Sequence, residues 1–112
     1  MPASAFSTLK PPVLRRLEKE GFLEASPIQE LAIPVILKGE NVLLIAPTGT
    51  GKTLAAILPV LDMFLESQSE QRTRGISILY VTPLRALNRD LLRRLEEMGR
   101  DLDVRIQVRH GD

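Results

Sequence analysis

Cysteine and tryptophan are absent from the 112 residues, and the chain has one histidine (His110), one tyrosine and three phenylalanines. Without cysteine there is no disulfide framework and no thiolate metal or redox centre. A single imidazole likewise excludes a multi-histidine metal site. No sign of charge dominates: 15 Lys and Arg stand against 14 Asp and Glu, a formal net charge of +1. That balance excludes a disordered polyelectrolyte tail. The apolar stretch through Ala55, Ile57, Leu58, Val60 and Leu61 is far short of the roughly 20 residues of a membrane-spanning helix. The opening Met1-Pro2-Ala3-Ser4-Ala5-Phe6 carries neither a basic leader nor an apolar signal core. The expectation is a cytoplasmic chain with no membrane attachment.

What is present suits one globular domain: 44% of residues are hydrophobic and 26% charged, and a single core serves about 100–150 residues. The near-neutral total conceals an asymmetry. Residues 1–71 hold six basic and eight acidic groups, whereas residues 72–112 hold nine arginines, no lysine and six acidic groups. An arginine-weighted segment suits phosphate contacts, because the guanidinium fork matches phosphate oxygens. A solvated helix face with internal ion pairs explains the same composition.

Val13, Leu14 and Leu17 sit at helical spacing after Pro11-Pro12, with Gly21 as the stop. Ser26-Pro27 announces a second helix, an N-cap residue followed by Pro at the first helical position. Pro34 is expected to interrupt it or to begin a new segment, since Pro removes an amide donor and clashes one turn back, and Gly39 to end the segment. Val42-Leu43-Leu44-Ile45-Ala46 reads as a strand buried on both faces. From Lys52, Leu54, Ile57, Leu58, Leu61 and Leu65 return to helical period, with Pro59 expected to bend the middle, and the polar residues 67–75 read as a loop. Ile76–Val81 is a second strand; Leu84, Leu87, Leu91, Leu92, Leu95 and Met98 mark a long helix ended by Gly99; Val104, Ile106 and Val108 alternate as a third strand. Alternating strands and helices imply right-handed crossovers and an α/β fold with a parallel sheet flanked by helices.

Ala46-Pro47-Thr48-Gly49-Thr50-Gly51-Lys52-Thr53 lies between the first strand and its helix. Gly49 and Gly51 permit backbone conformations closed to residues with a β-carbon, so that successive amides turn inward. Together with the positive end of the new helix, these amides make an anion cradle. Lys52 supplies a full charge to outer phosphates, and the Thr53 hydroxyl is placed to ligate Mg²⁺. This pattern resembles the phosphate loop of P-loop NTPases; a glycine-rich βα turn with a chance Lys-Thr is the plainer alternative. Small-molecule kinases, AAA-type ATPases and helicases share it, so the loop alone leaves the reaction open.

About 20 residues earlier stands Gly21-Phe22-Leu23-Glu24-Ala25-Ser26-Pro27-Ile28-Gln29. A glutamine amide presents a donor and an acceptor in one plane, matching the N6/N7 edge of adenine. A solvent-facing Gln in an early helical turn is the plainer alternative. Set beside the loop, the stretch resembles the Q motif of superfamily-two helicases, with Phe6 near the place of their upstream aromatic. Thr82-Pro83-Leu84-Arg85-Ala86-Leu87 and His110-Gly111-Asp112 resemble two backbone-contacting motifs that follow in the same order. Ala46 in place of the loop's usual opening Gly is a replacement shared by many helicases. The wording of the later motifs is most similar to the large helicase-related (Lhr) group.

The resemblance implies a RecA-like fold, with residues 1–40 as the Q-motif helical segment and 41–112 as a P-loop βαβαβ segment. It implies ATP and Mg²⁺ as cofactors: Phe22 and Gln29 at adenine, Thr48, Gly49, Thr50, Gly51, Lys52 and Thr53 at the phosphates, with Lys52 and Thr53 catalytic and Thr53 on the metal. It also implies DNA or RNA strand contacts from Thr82, Pro83, Arg85 and Gly111. Arg85 as an exposed helix-start arginine, and Phe6 as a packing residue, stay open beside these roles.

Hydrolysis further needs a carboxylate on Mg²⁺ and another to orient water. No Asp-Glu pair closes a strand here: Asp101 and Asp103 precede one, and Asp112 is the last residue. The expectation is therefore a truncated motor domain that binds nucleotide without hydrolysing it and relies on a second RecA-like domain of the helicase chain. A stand-alone non-catalytic nucleotide-binding module is the alternative, followed by a P-loop phosphotransferase. A truncated sheet would expose an edge and apolar faces.

Overall fold

Proline opens the first two helices, where its missing amide costs nothing and its fixed φ suits the first turn. The computed structural model describes residues 4–47, 49, 51–70, 75–83 and 89–109. A short 3₁₀ turn, Ala5–Thr8, precedes helix α1, Pro11–Lys19. Gly21, at φ +85°, ends α1 in a Schellman motif. Its amide donates to the Glu18 carbonyl at 3.0 Å, and that of Phe22 to the Leu17 carbonyl at 2.9 Å.

Helix α2 spans Pro27–Leu37 and runs straight through Pro34, contrary to the interruption expected there. Pro34 lies on the exposed face, where the carbonyl deprived of its donor has access to water, so the loss is tolerated. Gly39 ends the helix as expected, at φ +83°, its amide donating to Ile36. Helix α3, Lys52–Glu70, accommodates Pro59 and continues over residues 67–70, which the sequence assigned to a loop. Helix α4, Arg89–Leu102, likewise passes through Gly99. Asp103, in the left-handed region at φ 57°, ends it, with the Val104 amide donating to the Gly99 carbonyl at 2.7 Å. Gly99 is needed for close approach instead: a Cβ there would lie 2.7 Å from the Val104 oxygen and 3.1 Å from Ile106 Cδ1.

The chain divides into two units, Met1–Ser77 and Ile78–Asp112. In the first, α2 packs along α3, the 3₁₀ turn against α2, and α1 against α3. Phe6, Leu9, Val13, Leu17, Ala32, Ile33, Leu54, Ala55, Leu58 and Leu61 are buried there. Lys10, the N-cap of α1, has no side-chain cap of its own; the buried Asp62 of α3 accepts its amide at 2.6 Å. The second unit buries Met98 and Leu102 of α4.

None of the three expected strands forms among the described residues, so the parallel sheet is not part of this structure. Leu43 and Ile45 are each 83% exposed, Ile76 86% and Val81 84%. A parallel strand satisfies its amides and carbonyls only through neighbouring strands, and its side chains only between two covering layers. Among the described residues, no helix is long and apolar enough to cross a membrane.

Candidate functional site

Two left-handed glycines stand at the entry to α3: Gly49 at φ +82° and Gly51 at φ +88°. Both angles are costly for any residue with a β-carbon, which explains the glycines. The first bond of α3 runs from the Ala55 amide to the Gly51 carbonyl at 3.0 Å. Helix α3 thus presents its positive end at Lys52. Lys52 and Thr53 are half-buried, while Gly49 is exposed with open space where a Cβ would stand. A helix start preceded by two such glycines suits a phosphate group. Thr48 and Thr50, the remaining residues expected in the loop, lie outside the described residues.

The first turn of α2 is joined to this entry. Ser26 and Gln29 form a reciprocal capping box: the Ser26 amide donates to Gln29 Oε1 at 2.8 Å, and the Gln29 amide to Ser26 Oγ at 3.4 Å. This locks the Gln29 side chain, and its Nε2 donates to the Gly51 carbonyl at 3.2 Å. Gln29 is only 5% exposed, so the solvent-facing alternative is excluded. The approach is close enough that a Cβ on Gly51 would meet Gln29 Nε2 at 2.5 Å and Ser26 Oγ at 3.2 Å. One N–H and one lone pair of the amide are left over from these bonds.

Phe22 is half-buried just beyond the Schellman turn. Phe6 is buried on the 3₁₀ turn, as the packing alternative has it. Among the described residues, no group of three or more His, Cys, Asp or Glu could hold a metal ion. Thr82, half-buried, and Pro83, exposed, belong to the second unit, with Thr82 Oγ1 donating to the Pro83 carbonyl at 3.5 Å. Arg85 and Gly111 lie outside the described residues.

Two features escaped the sequence reading. The Ser26-x-x-Gln29 spacing itself spells a capping box, a signal that identifies Gln29 as anchored. The other is Glu30, whose carboxylate receives the Ala5 amide at 3.0 and 3.1 Å on its two oxygens and the Ser4 hydroxyl at 3.1 Å. Separated by 25 residues and more in sequence, those partners leave no local pattern.

Residues 26–112, which hold α2, the glycine turn and all that follows, match the DEAD/DEAH box helicase family. The chain belongs to that family, in keeping with its resemblance to superfamily-two helicases. More particularly, it is similar to the ATP-dependent helicase Lhr-Core of Sulfolobus acidocaldarius, 45% identical over 87 residues, covering 77% of this chain and 10% of the relative. The Lhr-Core of Saccharolobus solfataricus is 36% identical over 110 residues, covering 90% and 13% respectively. The ATP-dependent RNA helicase CshA of Limosilactobacillus reuteri is 35% identical over 99 residues, covering 88% and 19%. The chain thus spans between a tenth and a fifth of the length of these relatives.

Proposed function

We propose that residues 1–112 are the ATP-binding portion of a helicase motor that couples ATP hydrolysis to movement along a nucleic-acid strand. The observation that carries this reading is the 3.2 Å bond from Gln29 to the Gly51 carbonyl, which joins an adenine-matching amide to a phosphate-type helix entry. Gln29 offers its remaining N–H and lone pair to the adenine edge, with Phe22 beside it. Gly49, Gly51 and the first-turn amides of α3 cradle the phosphates, together with Thr48 and Thr50. Lys52 adds a full positive charge at the outer phosphates, and Thr53 would hold Mg²⁺ through its hydroxyl. When bound, Mg²⁺ neutralises charge developing on the phosphate oxygens.

In this reading residues 42–46, 76–81 and 104–108 are strands of a RecA-like parallel sheet, completed by further chain. Thr82, Pro83, Arg85 and Gly111 contact the backbone of single-stranded or partly duplex DNA or RNA. Backbone contacts carry no base information, so they suit either polymer. The carboxylates for hydrolysis and a second RecA-like domain come from elsewhere in the helicase, and the 112-residue chain binds nucleotide without turnover. The relatives' names, ATP-dependent helicase Lhr-Core and ATP-dependent RNA helicase CshA, support the motor reading.

The test is ATPase activity of the helicase carrying this segment, with and without single-stranded DNA or RNA. Stimulation by one of them, lost in Lys52→Ala, is the expected result. No stimulation by either polymer overturns the motor.

A further inference from the structure

The first turn of α2 makes two long-range connections from adjacent residues. Gln29 reaches forward to Gly51 at the entry of α3, and Glu30 reaches back to the chain's beginning. Both Glu30 oxygens accept the Ala5 amide, at 3.0 and 3.1 Å, and the Ser4 hydroxyl donates to one of them at 3.1 Å. Ser4 Oγ in turn accepts the Phe6 amide at 3.2 Å and caps the 3₁₀ turn. The turn carries Phe6 into the core against α2. Glu30 itself is exposed, so nothing about core packing demands a carboxylate at this position. A carboxylate accepting backbone N–H and hydroxyl donors makes charge-assisted bonds, stronger than neutral ones.

We propose that Glu30 is a positioning residue for nucleotide binding. By clamping the Ser4 hydroxyl and the Ala5 amide to the N-terminal turn of α2, it holds the neighbouring Gln29 amide in register with Gly51 and with the base. Residues 4–6 then form a strap that sets the orientation of the base-reading group while leaving the phosphate cradle untouched. The proposal rests on the reading of Gln29 as the adenine-facing residue, and the measurements below separate the two.

The 112-residue chain is titrated calorimetrically with Mg·ATP and, separately, with Mg·tripolyphosphate, which engages only the cradle. In parallel, the Gln29 side-chain amide resonance is recorded without ligand. In Glu30→Ala the affinity for ATP falls about fivefold, the scale of a lost charge-assisted hydrogen bond attenuated by one intervening residue, while tripolyphosphate affinity is unchanged. The Gln29 amide resonance shifts. Glu30→Gln, which retains a carbonyl oxygen for the Ala5 amide, restores most of the ATP affinity and the resonance.

Equal loss of both ligands in Glu30→Ala at unchanged helical circular dichroism overturns the proposal, because Glu30 then supports the unit generally. An unmoved Gln29 resonance overturns it as well. Where Glu30→Ala fails to fold, Ser4→Ala removes the hydroxyl that donates to Glu30 and accepts the Phe6 amide, leaves the Ala5–Glu30 bonds, and decides by the same resonance. Gln29→Ala isolates the underlying reading: an unchanged ratio of ATP to tripolyphosphate affinity in that variant refutes adenine recognition by Gln29, and the resonance still judges Glu30.

Discussion

The two sides of the Gly49–Gly51 turn differ in how they are held. On the helical side, the Gly51 carbonyl accepts from both Gln29 Nε2 and the Ala55 amide, and α3 runs on into a core where Leu58 has no exposure at all. On the other side, Val42–Ala46 forms no strand, and Leu43 and Ile45 lie 83% open. The sequence is at least as apolar on the open side as on the closed one. What differs is where the backbone partners come from. A helix satisfies its own amides and needs only one face covered. A strand of a parallel sheet borrows partners across a dozen or more residues of crossover and needs cover on both faces. The Gln29–Gly51 bond and the start of α3 at Lys52 are therefore in place without the sheet.

That contrast can be broken or sharpened by substitution. Leu58→Ala empties a fully buried position and is expected to destabilise the first unit by about 2–5 kcal/mol in urea unfolding. Gly51→Ala follows: it forces a β-carbon into a left-handed conformation and against Gln29 Nε2. Its expected cost is about 1–3 kcal/mol by the same measurement, accompanied by a displaced Gln29 resonance. Asp103→Gly acts in the second unit and in the opposite direction. Replacing a left-handed aspartate (φ 57°) at the end of α4 with glycine is expected to stabilise α4 by roughly 0.5–1 kcal/mol, read as slower amide exchange in its last turn. Ile45→Ala, at an 83% exposed position, is expected to change stability by less than about 0.5 kcal/mol. A loss comparable to that of Leu58→Ala would show that residues 42–46 are packed in solution, and would erase the difference between the two sides.

The same physics separates what was legible in the sequence from what was not. Ser26-Pro27 marked the start of α2, while Gly21 and Gly39 marked two helix ends, because caps and left-handed glycines act within a few residues. Glycine at 49 and 51 and the start of α3 at Lys52 were equally local. Pro34 and Gly99 misled because each was read as a helix breaker. Pro34 sits on an exposed face, and Gly99 is there to let Val104 and Ile106 pass close by. Neither fact is local. The Glu30–Ala5 and Asp62–Lys10 bonds, spanning 25 and 52 residues, were out of reach for the same reason. The strands were read from apolar runs, a signal that reports burial in a finished sheet and says nothing of the partners that complete it.

The central claim is that the turn before α3, with Lys52 at its head, binds the phosphates of ATP. Calorimetric titration of the 112-residue chain with Mg·ATP, beside Lys52→Ala, tests it most directly. The account predicts binding that weakens at least about tenfold in the variant, as expected for loss of one ionic hydrogen-bonding partner, with no turnover in either protein. Equal ATP affinity in the two proteins would contradict it.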